Sequence, residues 1–314
     1  MRVLITGTNG PLGYALSELI SDNYEADFTN SSMLDLRVKN NVVEYMERTK
    51  PEFVIHLAAK SGGASLNTLE PVQMFEDNMN MTMNVLAASA ASGAKRVILA
   101  SSTSAYPSSR VVPAKEEQLH LGPPSDSDYP YAYSKRMMEP LARAYSSQYG
   151  LDVCVAVVNG IVGPKMNFKL GKSVMLAALI RRFYETSLEP VGKQDYFVFG
   201  DGTPIREYTN SFDLARAMIW LIENDNNPTL LNIGNSSGYS IREYAGFILD
   251  ILSIDKERMR FTEPLGTSQN SYNQRTDNSL FLQKASFQYT DIKTSIAETL
   301  EWLKTNHKEV VDCD

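Results

Sequence analysis

Cysteine, histidine and tryptophan are scarce in this chain of 314 residues, which carries two, three and two of them. Cys154 and Cys313 stand far apart, so neither a disulfide framework nor a zinc or other metal site is expected, and the usage fits a reducing, cytoplasmic setting. Long apolar runs are missing too. The opening MRVLITG offers one cation and a run shorter than a signal-peptide core, and nothing approaches the ~18 apolar residues of a spanning helix, so no membrane association is expected. Cations are the minority charge: 30 Lys and Arg against 37 Asp and Glu leave a net −7. Nucleic acid is therefore not an expected partner, although a local basic pocket for an anionic small molecule stays open.

What is present is an alternation of strand-like and helix-like segments. The runs RVLIT (2–6), ADFTN (26–30), EFVIHLAA (52–59), AKRVILAS (94–101) and LDVCVAVV (151–158) are separated by longer stretches of helical period. Runs that are apolar throughout imply strands covered on both faces, so an α/β fold with a doubly wound parallel sheet is predicted. The length exceeds the usual single domain, and beyond about residue 165 loops such as KMNFKLGKS and EPLGTSQNSYNQRTDNS surround fewer regular elements. A smaller C-terminal lobe is predicted there. SFDLARAMIWLIEN (211–224) and LLNIG (230–234) read as a helix and strand returning to the first domain. The division expected is 1–165 with 207–235, against 166–206 with 236–314.

Directly after the first strand comes TGTNGPLG, with Gly7, Gly10 and Gly13 spaced G-x-x-G-x-x-G ahead of a helical pattern. Glycines there permit a tight turn and close approach of backbone to a pyrophosphate, while the helix N-terminus favours the anion. A glycine turn can also exist for packing alone; the position in the first βαβ turn favours the dinucleotide. The second strand ends FTNSS, without the carboxylate that grips an adenosine ribose in NAD sites. That leans towards NADP, with NAD as the alternative, although no arginine is read there for a 2′-phosphate. Asp35 is placed to meet the adenine or to begin the next helix.

The stretch YPYAYSK (129–135) holds three tyrosines, of which only Tyr131 stands four residues before Lys135. Residues so spaced share a helix face, and a neighbouring ammonium is expected to lower the phenol from its ordinary value of about 10. Tyr129 and Tyr133 are read as packing or pocket lining. Ser102, in SSTSAYP at the end of the fourth strand, can hold a substrate oxygen at the ligand edge of a parallel sheet. A second Tyr-x-x-x-Lys, Tyr289 to Lys293, is assigned no role.

Glycine turn, serine after strand four, then tyrosine and lysine on the next helix: in that order the chain resembles the extended short-chain dehydrogenase/reductases, nearly end to end. VIHLAAKSGG, NMNMTMNVL, GPPSDSDYPYAYSKRM, YSSQYG, ALIRRF and GDGTPIREY are similar to the subfamily of GDP-4-keto-6-deoxymannose epimerase/reductases. The resemblance implies a Rossmann-type domain binding NADP, with Asn9 and Leu12 in the glycine turn, Ser31 and Leu36 after strand two, and Leu57, Ala58 and Ala59 after strand three at the cofactor. It implies a GDP-linked sugar held by Ser104, Lys172, Arg182, Phe199, Arg206 and Arg275. Arg182 and Arg206 are implied as diphosphate ligands, and guanidinium forks suit a pyrophosphate in an acidic protein. A homodimer through helices of the first domain is implied too.

The resemblance breaks at two positions. Double epimerisation at C3 and C5 uses a cysteine and a histidine in that subfamily; here Ser104 and Val174 stand in their places. A serine hydroxyl ionises far less readily than a thiol, and valine exchanges no proton. His56, His120 and His307 are read as structural. The subfamily's asparagine and tyrosine before Gly-Pro become Gly160 and Val162, and its lobe lysine becomes Gln274. The function expected is an NADPH-dependent C4 ketoreductase of a GDP-4-keto-6-deoxy sugar, hexose or heptose, without epimerisation, in making a deoxysugar for a surface polysaccharide. The alternatives are the full epimerase/reductase, or a nucleotide-sugar 4-dehydrogenase or 4-epimerase with tightly held NAD. Pro140 is expected to remove an internal hydrogen bond and kink the catalytic helix just after Tyr131 and Lys135.

Overall fold

The computed structural model describes residues 1–21, 23–169, 173–189, 194–225, 227–262 and 274–312. The strands are β1 (Arg2–Thr6), β2 (Glu25–Thr29), β3 (Phe53–His56), β4 (Arg96–Ser102), β5 (Asp152–Val158), β6 (Gly160–Val162), β7 (Tyr196–Phe199), β8 (Ile205–Asn210), β9 (Leu230–Asn232), β10 (Gly238–Ser240) and β11 (Met259–Thr262). Six of them form one sheet in the order β2-β1-β3-β4-β5-β9, with every neighbouring pair parallel. This is the doubly wound Rossmann-type sheet. Its order reverses direction between β1 and β3, the crevice in which such sheets take their ligands.

Successive residues of a strand point to opposite faces, and both faces here are apolar. Leu4, Val54, Val97, Leu99, Val153 and Val155 pack against Val42, Met46, Val85, Leu86 and Met138, from the helices Lys39–Thr49, Pro71–Ser92 and Met138–Tyr149. Val3, Ile5, Ile55, Ile98, Cys154 and Ala156 pack on the other side against Leu12, Leu16, Leu214 and Met218, from the helices Pro11–Leu19 and Ser211–Glu223. Each aliphatic side chain so buried stabilises the fold by about 1.5–3 kcal/mol. The third run pairs only as far as His56, because Gly7 turns against Ala58 and pushes the chain out of the ladder.

A separate apolar cluster joins Phe168, Leu176, Phe183, Tyr196, Tyr244, Ile248 and Ile296. It packs the helices Met175–Leu188, Ile241–Leu252 and Ile292–Asp312 around the small sheets β10-β8-β6 and β11-β7. The helix carrying Tyr131 and Lys135 runs from Tyr129 to Arg136 and a second begins at Met138. Met137 N still donates to Tyr133 O and Leu141 N to Met137 O, but Pro140 has no N–H for the Arg136 carbonyl between them. The break falls where the proline predicts it.

Candidate active site

The glycine turn sits at the reversal of strand order. Gly7 has φ +77°, and a Cβ on it would lie 2.5 Å from the Ala58 Cα. A Cβ on Gly13 would lie 2.4 Å from the Thr8 Cα, whereas Gly10 has nothing within 4 Å. Two glycines thus close the turn on itself and the third leaves its outer side open, a cradle that fits a dinucleotide's pyrophosphate. Asn9 is exposed there. Leu12, at 5% exposure, is in the core, so its side chain packs rather than binds. Leu57 N donates to Thr6 O, which carries Leu57, Ala58 and Ala59 past the turn.

Beside it opens a cleft of about 380 Å³, lined by Ser31, Asp35, Leu36, Arg37, Ala58, Ala59 and Lys60 among others. A larger hollow of about 560 Å³ lies between Phe53, Arg96 and Asp152, at the amino ends of the strands and away from the ligand edge. In the adenosine-side cleft Asp35 is neither idle nor the start of a helix. Both its oxygens accept from Arg37, from Nε at 2.9 Å and Nη2 at 2.8 Å, and that guanidinium holds the carboxyl below its usual range. The expectation that no arginine stands near this cleft is corrected by Arg37. Met33 N and Leu34 N both donate to Asn30 O, and the turn this makes brings residues beyond the strand end back to the ligand side. Lys60 completes the group, with Glu70 at 2.6 Å and Asp77 at 3.6 Å.

Ser102 ends β4, opposite Val158. Its hydroxyl accepts from Ser104 N at 3.2 Å and is near enough to the Tyr131 phenol to favour its ionised form. Lys135 lies one helical turn on and is 3% exposed. Its Nζ donates to Ala100 O at 2.8 Å and stands 5.9 Å from the centre of the Tyr131 ring. Ser101 Oγ donates to the Lys135 carbonyl at 3.0 Å, tying helix to strand. The electrostatics differ from the expectation. Burial pushes the Tyr131 phenol up to about 12, against the opposing pull of Ser102. Burial also brings the Lys135 ammonium down to about 7. Desolvation is the leading cause of both shifts, with Lys135 buried and Tyr131 half-buried. The imidazole of His56, at the end of β3, is fully buried, accepts from or donates to Thr6 Oγ1 at 2.8 Å, and is pushed down to about 3 by burial and by Lys135.

Ser104 acts on Asp128 to favour its carboxylate, but burial raises that carboxyl above its usual range. Val174 is half exposed at the start of the helix Met175–Leu188. About two helical turns on, the Arg182 guanidinium lies 4.3 Å over the Phe199 ring with its Nε buried and unpaired. Arg206 lies on β8 opposite Tyr239. Next to it Glu207 is buried and accepts from Thr276 N, Thr276 Oγ1 and Asn159 Nδ2, which locks β8 to the chain carrying Arg275. Burial pushes the Glu207 carboxyl up to about 7. Arg182 and Phe199 thus form one group, and Arg206, Glu207 and Arg275 another; Lys172 lies outside the described residues. Gly160 is required where it stands, since a Cβ would meet the Tyr208 ring at 2.5 Å. Arg37, Arg110, Asp128 and Glu207 are polar residues of these clefts that sequence reasoning missed. Asp128 and Glu207 lie inside the motifs GPPSDSDYPYAYSKRM and GDGTPIREY without having been singled out there, whereas Arg37 and Arg110 lie in no motif. Among the described residues no group of three or more His, Cys, Asp or Glu side chains is placed to hold a metal, and no helix is long and apolar enough to cross a membrane.

Known proteins bear on this geometry. The model of the NAD dependent epimerase/dehydratase family matches residues 3–234. A GDP-L-fucose synthase of Dictyostelium discoideum is 30% identical over 98% of this chain and 96% of its own length. Among solved structures, a GDP-L-fucose synthetase of Naegleria fowleri bound to NADP superposes with a TM-score of 0.88 at 29% identity, covering 98% of this chain and 93% of that one. A GDP-mannoheptose C4 reductase of Campylobacter jejuni with NADP bound gives 0.84 at 25% identity, covering 96% and 98%. With a glycine turn at the reversal of a parallel sheet and a serine, tyrosine and lysine at its edge, the chain belongs to the NAD dependent epimerase/dehydratase family, the extended short-chain dehydrogenase/reductases.

Proposed function

We propose that this enzyme is an NADPH-dependent C4 ketoreductase of a GDP-linked 4-keto-6-deoxy sugar, hexose or heptose, that leaves C3 and C5 unchanged. The carrying observation is the Ser102 hydroxyl acting on the Tyr131 phenol, with Lys135 buried one helical turn on, combined with Ser104 and Val174 where an acid/base pair is needed for epimerisation. NADPH supplies the hydride when bound; the glycine turn, Ser31, Arg37 and Ala58 hold it. Tyr131 donates the proton to the developing C4 alkoxide, Ser102 fixes the carbonyl oxygen, and Lys135 steadies the phenolate that remains. A phenol kept protonated by burial suits the reductive direction, where the enzyme must give a proton.

One observation favours a second reading. Asp128 is a half-buried carboxyl raised above its usual range by desolvation, within reach of Ser104, and would be the acid of a full epimerase/reductase. Incubating the 4-keto sugar nucleotide with enzyme in D2O without cofactor separates the two: deuterium at C3 or C5 sinks the reductase-only proposal. NADPH oxidation against a panel of 4-keto GDP, UDP and dTDP sugars tests the substrate class.

A homodimer belongs to the same proposal. Val72, Phe75 and Met83 are exposed along one side of the helix Pro71–Ser92, a stripe at helical spacing that suits an adaptable apolar interface. Light scattering of Phe75→Glu is expected to give monomer; a wild-type monomer overturns this part.

A further inference from the structure

Arg110 is a partly buried side chain to which neither the fold nor the proton-transfer site gives a role. It lies in the loop after β4, and its Nη1 donates to the Pro107 carbonyl at 3.0 Å. Its Nε and Nη2 are buried and have no hydrogen-bond partner. Those two nitrogens make one edge of the guanidinium plane, with parallel N–H bonds matched to two oxygens of one anion. The same edge of Arg37 grips both oxygens of Asp35, and that of Arg96 reaches Asp152 at 2.6 Å and Asp225 at 2.5 Å. Among the described residues, Arg110 alone has both atoms of that edge buried and idle.

No neighbouring carboxylate is free to take it. Arg110 is within electrostatic reach of Glu207, Arg206 and Asp128. Glu207 accepts from Thr276 and Asn159 and Asp128 from Ser127 at 3.5 Å, and neither accepts from Nε or Nη2 of Arg110. Arg206 is close enough for its charge to oppose that of Arg110. Buried donors without acceptors are costly, and an oxyanion accepting from both Nε and Nη2 relieves that cost. The position also fits a ligand rather than a fold contact. Arg110 is within charge reach both of Asp128, three residues before Tyr131, and of Arg206 on β8.

We infer that Arg110 is an oxyanion-binding residue of the substrate cleft, its Nε/Nη2 fork closing with Arg206 on the diphosphate of the nucleotide sugar. The inference rests on the proposed nucleotide-sugar substrate. Its test is calorimetric titration of the full chain, saturated with NADP+, with GDP, UDP and GMP, as wild type, Arg110→Met, Arg110→Lys and Arg206→Met. Arg110→Met is expected to weaken GDP about 10- to 100-fold, the loss of a charge-assisted bidentate contact, and to leave GMP within about threefold. Arg110→Lys is expected to recover only part, since an ammonium carries charge without the fork. The ligand-free Arg110→Met protein is expected to melt no lower than wild type, because idle buried donors have been removed. GDP affinity unchanged in Arg110→Met but lost in Arg206→Met overturns the Arg110 assignment alone. An equal loss for GDP and GMP with a lower melting point is general damage and overturns it too. Affinity unchanged in both variants, or no diphosphate bound by wild type, removes the nucleotide-sugar reading and this inference with it.

Discussion

The chain contains the same four-residue spacing twice, and the two copies have nothing else in common. Tyr131 and Lys135 lie on one helix, with the lysine buried and bonded to Ala100 O. Tyr289 precedes the helix Ile292–Asp312, so Lys293 is not one helical turn away from it. The Tyr289 hydroxyl donates to Ile233 O at 2.9 Å, and the Lys293 ammonium lies 4.9 Å from the centre of the Phe247 ring. One pair sits at the end of β4, where proton transfer is proposed; the other fastens a lobe helix to the end of β9. Spacing alone carries no chemistry. The helical path between the residues and the depth at which the helix lies make the difference.

The widest separation is expected from removing each phenol. Tyr131→Phe deletes the proton donor and should lower kcat by about 10²- to 10⁴-fold with little effect on melting. Tyr289→Phe should leave kcat within about twofold and cost about 1 kcal/mol of stability, the value of a hydrogen bond to a buried carbonyl. Steady-state NADPH oxidation with thermal melts reads both. Equal losses of activity would erase the distinction between the two motifs.

The lysines sharpen it through pH. Burial lowers Lys135 to about 7, whereas an unfolded lysine titrates near 10.4. Between those values the unfolded chain binds a proton that the folded, cofactor-free protein does not, so stability rises with pH across that window. Lys135→Met should abolish this rise and lower kcat by about 10²-fold; Lys293→Met should change neither. His56 extends the same logic to acid. Its folded value of about 3 lies below the unfolded value of about 6.5, so it contributes a loss of stability as pH falls from about 6.5 towards 3. Denaturant melts of His56→Gln should show a shallower acid limb, whereas substitution at His120, which is exposed, should not.

The parts of the molecule that sequence made legible are those fixed by local rules. Apolar runs marked the strands because both faces of the sheet are covered, and glycine spacing marked the first turn because Gly7 meets Ala58 there. Pro140 marked the helix break because a missing N–H is a property of one residue. What stayed hidden depends on distant chain. Arg37 returns to the cleft through a turn, Asp128 reaches Ser104 across the loop that precedes the helix, and Glu207 meets Thr276 from another segment. The direction of the Tyr131 shift runs against its spacing for the same reason. Charge proximity can be read from a spacing of four, but desolvation is set by how deep the whole helix lies.

The smallest expected effect separates the helical path from its continuation. If the turn Tyr129–Arg136 alone aligns the pair, helical continuity beyond Lys135 should be dispensable, and the break at Met137 should be a consequence of Pro140 rather than a requirement of the site. Pro140→Ala gives the Arg136 carbonyl an N–H to accept from, and in exchange frees the unfolded chain from the proline's restriction; the two terms oppose each other, so stability should change by no more than about 1 kcal/mol. kcat should stay within about threefold. A fall beyond tenfold would mean that a continuous helix draws Lys135 away from Ala100 and Tyr131 from Ser102, and that the proline sets the catalytic geometry by ending the helix where it does.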